Sequence, residues 1–153
     1  MSAVMKDSQQ FRQMLDEDVP RVMQIEKLGH AFPWTEGIFR DCIRVGYVCV
    51  VFEEDNEIIA YGVMSIAAGE AHVFNVAVDI KRRNQGLGRR VMEYLMVDAR
   101  ERKAQSLFLE VRPSNIAAVN LYEALGFNQI GIRKDYYPHP NGREDAMIFA
   151  MDL

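Results

Sequence analysis

The chain has 153 residues, of which 49% are hydrophobic and 26% charged, with 10 Gly and 5 Pro. That length suits one domain around one core, and the composition excludes a disordered, collagenous or repetitive chain. The formal net charge of -4 argues against a general nucleic-acid binder, because phosphate affinity needs a concentrated basic face, and leaves a basic protein or peptide partner open.

Residues 1–10 read as a short polar lead, expected to be flexible, and 11–153 as the folded domain. The lead lacks the apolar core of a signal peptide, and no run approaches a membrane span, so the expectation is a cytoplasmic protein with no membrane partner. After the lead, Asp16 or Asp18 is placed to cap a helix whose apolar residues Val19, Val22, Met23 and Leu28 keep helical spacing, with Pro20 in its first turn. His30-Ala31-Phe32-Pro33-Trp34 interrupts that pattern. Thr35 then precedes a second short helix, Glu36 to Arg44, with Ile38, Phe39, Cys42 and Ile43 along one side and Gly46 beyond its end.

Tyr47 to Phe52 is rich in β-branched and aromatic residues, Glu54-Asp55-Asn56 supplies a turn, and Ile58 to Ala67 resumes the extended run. A further turn near Gly69 leads to His72 to Val78, so three consecutive antiparallel strands are predicted. The period then becomes helical: from Gly86 to Arg102, Leu87, Val91, Leu95 and Ala99 recur every four residues. Ser106 to Val111 reads as a strand, and Pro113 and Ser114 open a helix that runs through Leu125 and stops at Gly126. Phe127 to Ile132 and Ala146 to Met151 close the domain as two strands around a loop holding Pro138, Pro140 and Gly142. The result is one mixed α/β (α+β) sheet with flanking helices, no linker and no second domain.

Chemistry-bearing residues are few. Cys42 and Cys49 have no CxxC partner and no nearby His at ligand spacing, so no zinc or redox site and no metal is expected. Nor do they suggest an acyl-enzyme nucleophile. His30, His72 and His139 have no spacing that suggests a triad or a ligand set.

The informative stretch is Arg83-Asn84-Gln85-Gly86-Leu87-Gly88, at the start of a helix that follows a strand. Free amides and the positive end of the helix dipole converge there, and glycines let an anion approach, which suits a pyrophosphate. Alone, the pattern also fits a glycine-softened helix start with solvated arginines. Gly86-x-Gly88-x-x-Val91 is in addition part of a dinucleotide fingerprint, with Glu110 where a ribose-binding acid would stand. Against that, Val91 replaces the third glycine, the preceding strands form hairpins, and too little chain follows for a second nucleotide-binding half.

Arg83-x-x-Gly86-x-Gly88, Leu109-Glu110-Val111-Arg112-Pro113-Ser114-Asn115 and Ala118-Val119-Asn120-Leu121-Tyr122-Glu123-Ala124-Leu125-Gly126-Phe127 together resemble the GNAT superfamily of acetyltransferases. His30-Ala31-Phe32-Pro33-Trp34, Phe74-Asn75-Val76-Ala77-Val78, and Tyr136-Tyr137-Pro138 with Gly142-Arg143-Glu144-Asp145-Ala146 resemble its RimI branch, the ribosomal-protein alanine N-acetyltransferases. The likeness covers almost the whole chain from Val19. It implies a mostly antiparallel seven-stranded sheet whose central strands, one ending near Val78 and one at Ser106 to Val111, splay apart around acetyl-CoA. It places coenzyme contacts on the backbone of Val76, Ala77 and Val78, on Asn84, Gln85, Gly86, Leu87, Gly88 and Arg89, and on the Asn115 side chain. It places a general base on Glu110 and a general acid on Tyr122, and implies as partner a basic ribosomal protein with a free N-terminus.

Each assignment has a plainer counterpart. Tyr122 shares an apolar helical stripe with Val119 and would serve as core, a glutamate ending a strand is often solvated, and Asn115 would serve as a helix-start residue bonding its own backbone. Phe32-Pro33-Trp34 and the loop Tyr137 to Asp145 are candidates for recognising the protein substrate, or else a hydrophobic plug and an ordinary hairpin. Other acceptors, whether lysines, small amines or different N-termini, and a non-catalytic acyl-CoA-binding module, remain as alternatives.

Overall fold

The apolar runs between Val48 and Val78 form the three antiparallel strands that their spacing predicts. A computed structural model describes residues 8–153. In chain order the elements are β1 (Gln9–Gln13), α1 (Val19–Gly29), α2 (Glu36–Arg44), β2 (Val48–Glu54), β3 (Glu57–Ala67), β4 (Glu70–Val78), α3 (Leu87–Glu101), β5 (Ser106–Val111), α4 (Ile116–Leu125), β6 (Asn128–His139) and β7 (Gly142–Asp152). They build one seven-stranded sheet in the order β1-β2-β3-β4-β5-β7-β6. Among the described residues only the β4–β5 pair is parallel; the rest are antiparallel.

Both faces of the sheet are covered, which explains why β3 reads as a continuous apolar run: Ile58 through Met64 are buried without a break. On one face α3 presents Leu87, Val91, Met92, Leu95, Met96 and Ala99, all buried, to Val50, Phe52, Ala71, Val73, Leu107 and Leu109. Helix α4 adds Ala118, Val119, Tyr122 and Leu125 to the same layer. On the other face Val19, Val22, Met23 and Ile25 of α1 and Phe39 and Cys42 of α2 pack on Cys49, Val51, Tyr61 and Val63. Each fully buried Leu, Val or Phe contributes about 1.5–3 kcal/mol, so these two stripes hold the helices down far more firmly than their caps do.

Four features differ from the sequence pattern. The first strand, Gln9–Gln13, lies partly within the segment read as a flexible lead, the rest of which, residues 1–7, is outside the described residues. Its composition hides it, because Phe11 is its one apolar residue, tilted against Phe52 at 4.5 Å and stacked on Tyr94 at 4.3 Å, and side chains complete the pairing. Gln9 Nε2 donates to Glu54 at 2.8 Å, Gln10 donates to Glu53, and Arg12 Nε meets Glu53 at 3.1 Å.

The expected capping by Asp16 or Asp18 does not occur through a side chain: the carboxylate of Asp18 turns back to the Leu15 N–H at 2.8 Å and to Arg12 at 2.8 and 2.9 Å. Helix α4 begins at Ile116, not at Pro113, since Asn115 is its N-cap. Finally, β6 and β7 run longer than their apolar cores suggest, and the expected loop shrinks to Pro140 and Asn141. Among the described residues, no helix is long and apolar enough to cross a membrane.

Candidate active site

The site begins where the parallel ladder ends. Pairing between β4 and β5 runs from Glu70 opposite Ser106 to Val73 opposite Leu109, yet β4 continues to Val78 and β5 to Val111. A bulge separates them: on β3, Val63 faces Asn75 but the next residue, Met64, faces Val73, leaving Phe74 as the extra residue of β4. The bulge also resets the alternation. Val73 and Val76 face α3, while Asn75 faces α1 and bonds Glu26.

One cavity, of about 470 Å³, opens on the α3 side of this split. Val76, Ala77 and Val78 form one wall, Arg82 to Asn84 and Gly86 to Arg89 the floor, and Asn115, Ala117, Ala118, Leu121 and Tyr122 the opposite wall. The turn that leads into the floor is fixed by Asp79, whose carboxylate accepts from Lys81 N–H at 3.0 Å and from Arg21 at 2.7 Å. Burial alone would raise that carboxyl; these two donors hold it below the usual range instead.

Gly86 is the N-cap of α3 at φ 75°, a left-handed conformation that glycine enters without strain. No side chain caps this helix, and its first backbone bond is Arg90 N–H to Gly86 O at 3.2 Å. The amides of Leu87, Gly88 and Arg89 therefore face the cavity end of the helix dipole, as an anion requires. A Cβ on Gly88 would meet only Leu121 at 3.6 Å and Val78 at 3.9 Å, both in the cavity walls. Packing does not demand glycine there, and the open space beside the uncapped helix-start amides suits an anion such as a diphosphate. Of the coenzyme residues that the resemblance implies, Gln85 alone does not line this cavity. Its side chain accepts from Arg82 instead, at 3.4 Å. Asn115 Oδ1 caps α4 by accepting from Ala118 N–H at 3.2 Å, so its helix-start use is real, and its amide nitrogen is the part that remains for a ligand.

A second cavity, of about 320 Å³, opens on the other side of the split and shares His30, Val76, Asn115, Ala118 and Tyr122 with the first. Glu26, Phe32, Trp34, Asn75, Glu110, Arg112, Tyr137 and Pro138 also line it. Glu26 is only 2% exposed, and four groups from β3, β4 and the loop after α1 converge on it. Its carboxylate accepts from the Tyr61 hydroxyl, from Asn75 Nδ2 at 3.0 Å and from Trp34 N–H at 2.9 Å, with His30 Nε2 at 3.4 Å. At the rim, Arg112 lies over Tyr137 at 4.4 Å and Phe32 at 5.6 Å, and donates to Pro138 O at 2.7 Å and Glu144 at 3.2 Å. The Phe32 loop and the β6–β7 hairpin, both expected at a recognition surface, thus meet at one edge of this cavity.

Tyr122 stands at the junction. It packs edge-on against Phe127 and Phe149, and burial pushes its phenol up to about 12, so it holds its proton at neutral pH. The core role and the cavity position coexist. Glu110 is not solvated: its side chain is 9% exposed, 2.6 Å from His72 Nε2 and 3.4 Å from Arg133 Nε. The His72 contact holds its carboxyl below the usual range against the opposing effect of burial, and Arg133 adds to it. The absence of triad spacing among the histidines therefore misses His72. Residue spacing cannot reveal a contact made across two parallel strands that lie 38 positions apart. Glu26, Arg112 and Arg133 are missed for the same reason, since each joins the site from a different element.

Cys42 and Cys49 are buried and reduced, and burial lifts the Cys49 thiol to about 12, which removes it as a nucleophile at neutral pH. Among the described residues no group of three His, Cys, Asp or Glu side chains could hold a metal ion.

Residues 9–127 match the acetyltransferase (GNAT) family. The ribosomal protein bS18-alanine N-acetyltransferase of Escherichia coli (strain K12) is 41% identical over 136 residues, 89% of this chain and 92% of that protein. The crystal structure of the ribosomal-protein-S18-alanine N-acetyltransferase from Escherichia coli superposes with a TM-score of 0.89 at 39% identity, covering 95% of this chain and 94% of that one. The fold is shared more widely: yncA from Salmonella typhimurium, solved with its cofactor acetyl-CoA, superposes with a TM-score of 0.79 at 18% identity, covering 96% of this chain and 95% of that one.

Proposed function

The chain belongs to the acetyltransferase (GNAT) family, and from that premise we propose that it transfers the acetyl group of acetyl-CoA to the N-terminal α-amine of an alanine-starting protein, with ribosomal protein bS18, the substrate named for its relatives, as the physiological acceptor. The observation that carries this reading is the pair of cavities meeting at Tyr122, one floored by helix-start amides and the other walled by Glu110 and Glu26. The coenzyme's diphosphate lies on Leu87 to Arg89, and its thioester reaches the junction. The acceptor amine enters from the second cavity.

The charge state of Glu110 supports an α-amine over a lysine. With its carboxyl held low, Glu110 is a weak base. An α-amine with a pKa near 8 needs only about 1 kcal/mol to be neutral at pH 7, whereas a lysine needs roughly 4–5. The neutral amine attacks the thioester carbonyl carbon, the C–S bond breaks, the amine's surplus proton passes to Glu110, and Tyr122 gives its proton to the departing thiolate. A phenol at about 12 facing a thiol at its ordinary value of about 8.5 would be a poor donor by roughly 5 kcal/mol. A thiolate expelled into the same buried junction is desolvated as well, which raises its proton affinity and narrows that gap.

Incubation of the purified protein with acetyl-CoA and a basic alanine-starting peptide should give α-N-acetylation by mass spectrometry, and little with the N-terminally blocked peptide or with small free amines. Efficient acetylation of free amines but not of the peptide would refute the acceptor assignment. Tyr122→Phe should lower kcat about 10²–10⁴-fold with little change in coenzyme affinity. Comparable losses in both would make Tyr122 a packing residue only.

A further inference from the structure

Glu110 needs something to hold it. It is the first residue of β5 beyond the last paired position, Leu109, so no β4 backbone lies beside it. His72 reaches it from the closed part of the sheet, one residue before Val73, and places Nε2 2.6 Å from Glu110 Oε2. The imidazole is itself clamped. It stacks on Phe74 at 4.6 Å and 18°, and Phe74 stacks on Tyr47 at 5.6 Å and 27°. His72 does not line the acceptor cavity, whereas Glu110 does, so the histidine touches the carboxylate from behind.

The other groups around Glu110 do not duplicate this contact. From β6, Arg133 lies 3.4 Å from Oε1 but is half exposed, at 53%, and shares itself with the Tyr136 ring. Tyr137, also from β6, is a phenol that burial keeps protonated. Arg112, just past β5, is engaged with Pro138 and Glu144. Opposite Glu110 on β7 stands Ile148, which is apolar.

We propose that His72 is a positioning residue for this chain's base: its Nε2 contact fixes the Glu110 carboxylate at the mouth of the split, so that the base works as a His72–Glu110 unit held by the Tyr47–Phe74 stack. This rests on the reading of Glu110 as the base. The unit keeps the carboxylate ionised. A base with its pKa held low stays active as pH falls, and losing His72 lets the pKa rise, so the acid limb that Glu110 contributes, below the one the amine itself sets near pH 8, moves to higher pH.

The test is the pH profile of kcat/KM for the peptide with His72→Phe, His72→Gln, Glu110→Gln and the double variant His72→Phe/Glu110→Gln. His72→Phe should lower kcat at neutral pH by about tenfold, shift the acid limb upward and leave the KM for acetyl-CoA unchanged. His72→Gln, which keeps a donor, should recover most of the turnover. In the Glu110→Gln background, His72→Phe should bring no further loss. An unmoved acid limb, or the same tenfold loss in both backgrounds, would overturn the proposal and leave His72 as packing. Full activity of Glu110→Gln would instead overturn the assignment of the base itself.

Discussion

The two cavities that meet at Tyr122 are built in opposite ways. The side proposed for the coenzyme comes mostly from one stretch of chain, Val76 to Arg89, which includes the uncapped amides at the start of α3, closed by one face of α4. The side proposed for the acceptor is assembled from α1, the Phe32 loop, β4, β5, α4 and β6, with the side chains of Glu26, Arg112 and Glu110 held by partners from several of them. A backbone floor needs only the right local conformation: a turn, a left-handed glycine and a helix start with uncapped amides. A side-chain wall needs every contributing element in place, and here it is also tied into the core, because Glu26 joins Tyr61 to Asn75 and Trp34. The coenzyme side should therefore be separable from folding and the acceptor side should not.

The strongest way to break that contrast is to remove Glu26. Without its carboxylate, the Tyr61 hydroxyl, the Asn75 amide and the Trp34 N–H lose their acceptor, and each buried donor left unpaired costs about 1–3 kcal/mol. Glu26→Ala should lose about 3 kcal/mol, lowering the melting temperature by roughly 10 °C for a chain of this size, measured without coenzyme. Glu26→Gln keeps one acceptor oxygen and should fall between. Wild-type stability for Glu26→Ala would show that the acceptor wall is not anchored in the core.

The converse experiment fills the coenzyme floor. Gly88→Leu replaces the glycine whose Cβ would sit between Leu121 and Val78 without a clash, but whose longer side chain must occupy the cavity. Affinity for CoA, read by calorimetry, should fall at least about tenfold, or 1.4 kcal/mol. The melting temperature without CoA should stay the same or rise slightly, since leucine is the better helix former by up to about 0.8 kcal/mol. Unchanged affinity would mean that the diphosphate does not seat against Gly88. Loss of stability would mean that the two sides are not separable after all.

The same contrast explains what the sequence reveals. Helical and strand periods identify α1, α2, β2, β3, β4, α3 and β5 because their apolar residues pack into the core layers on the two faces of the sheet. The floor of the first cavity is contiguous, and nearly every residue that the resemblance implies for the coenzyme lines that cavity. β1 is illegible because Gln9, Gln10 and Arg12 pair through side chains where an apolar face would otherwise show. The ends of β6 are illegible because that edge strand is largely exposed and carries little apolar pattern. The acceptor wall is legible only in part. Glu110 stands within a contiguous motif, but His72 and Glu26 become part of the site only after Phe74 bulges and α1 docks, and no local spacing encodes either event.

The smallest effect sharpens the contrast most, because it isolates backbone conformation from contact. At Gly86, φ is 75° and a Cβ would meet nothing within 4 Å, so Gly86→Ala changes no packing and its cost is conformational, about 1 kcal/mol. Two residues earlier Asn84 holds φ at 64° without being glycine, which shows that this loop accepts a side chain that tolerates the left-handed region. Gly86→Asn should therefore recover most of the stability that Gly86→Ala loses, measured by denaturant unfolding. If Gly86→Asn is as unstable as Gly86→Ala, the loop requires the absence of a side chain and not merely a positive φ. The coenzyme floor would then depend on local sterics as tightly as the acceptor wall depends on Glu26.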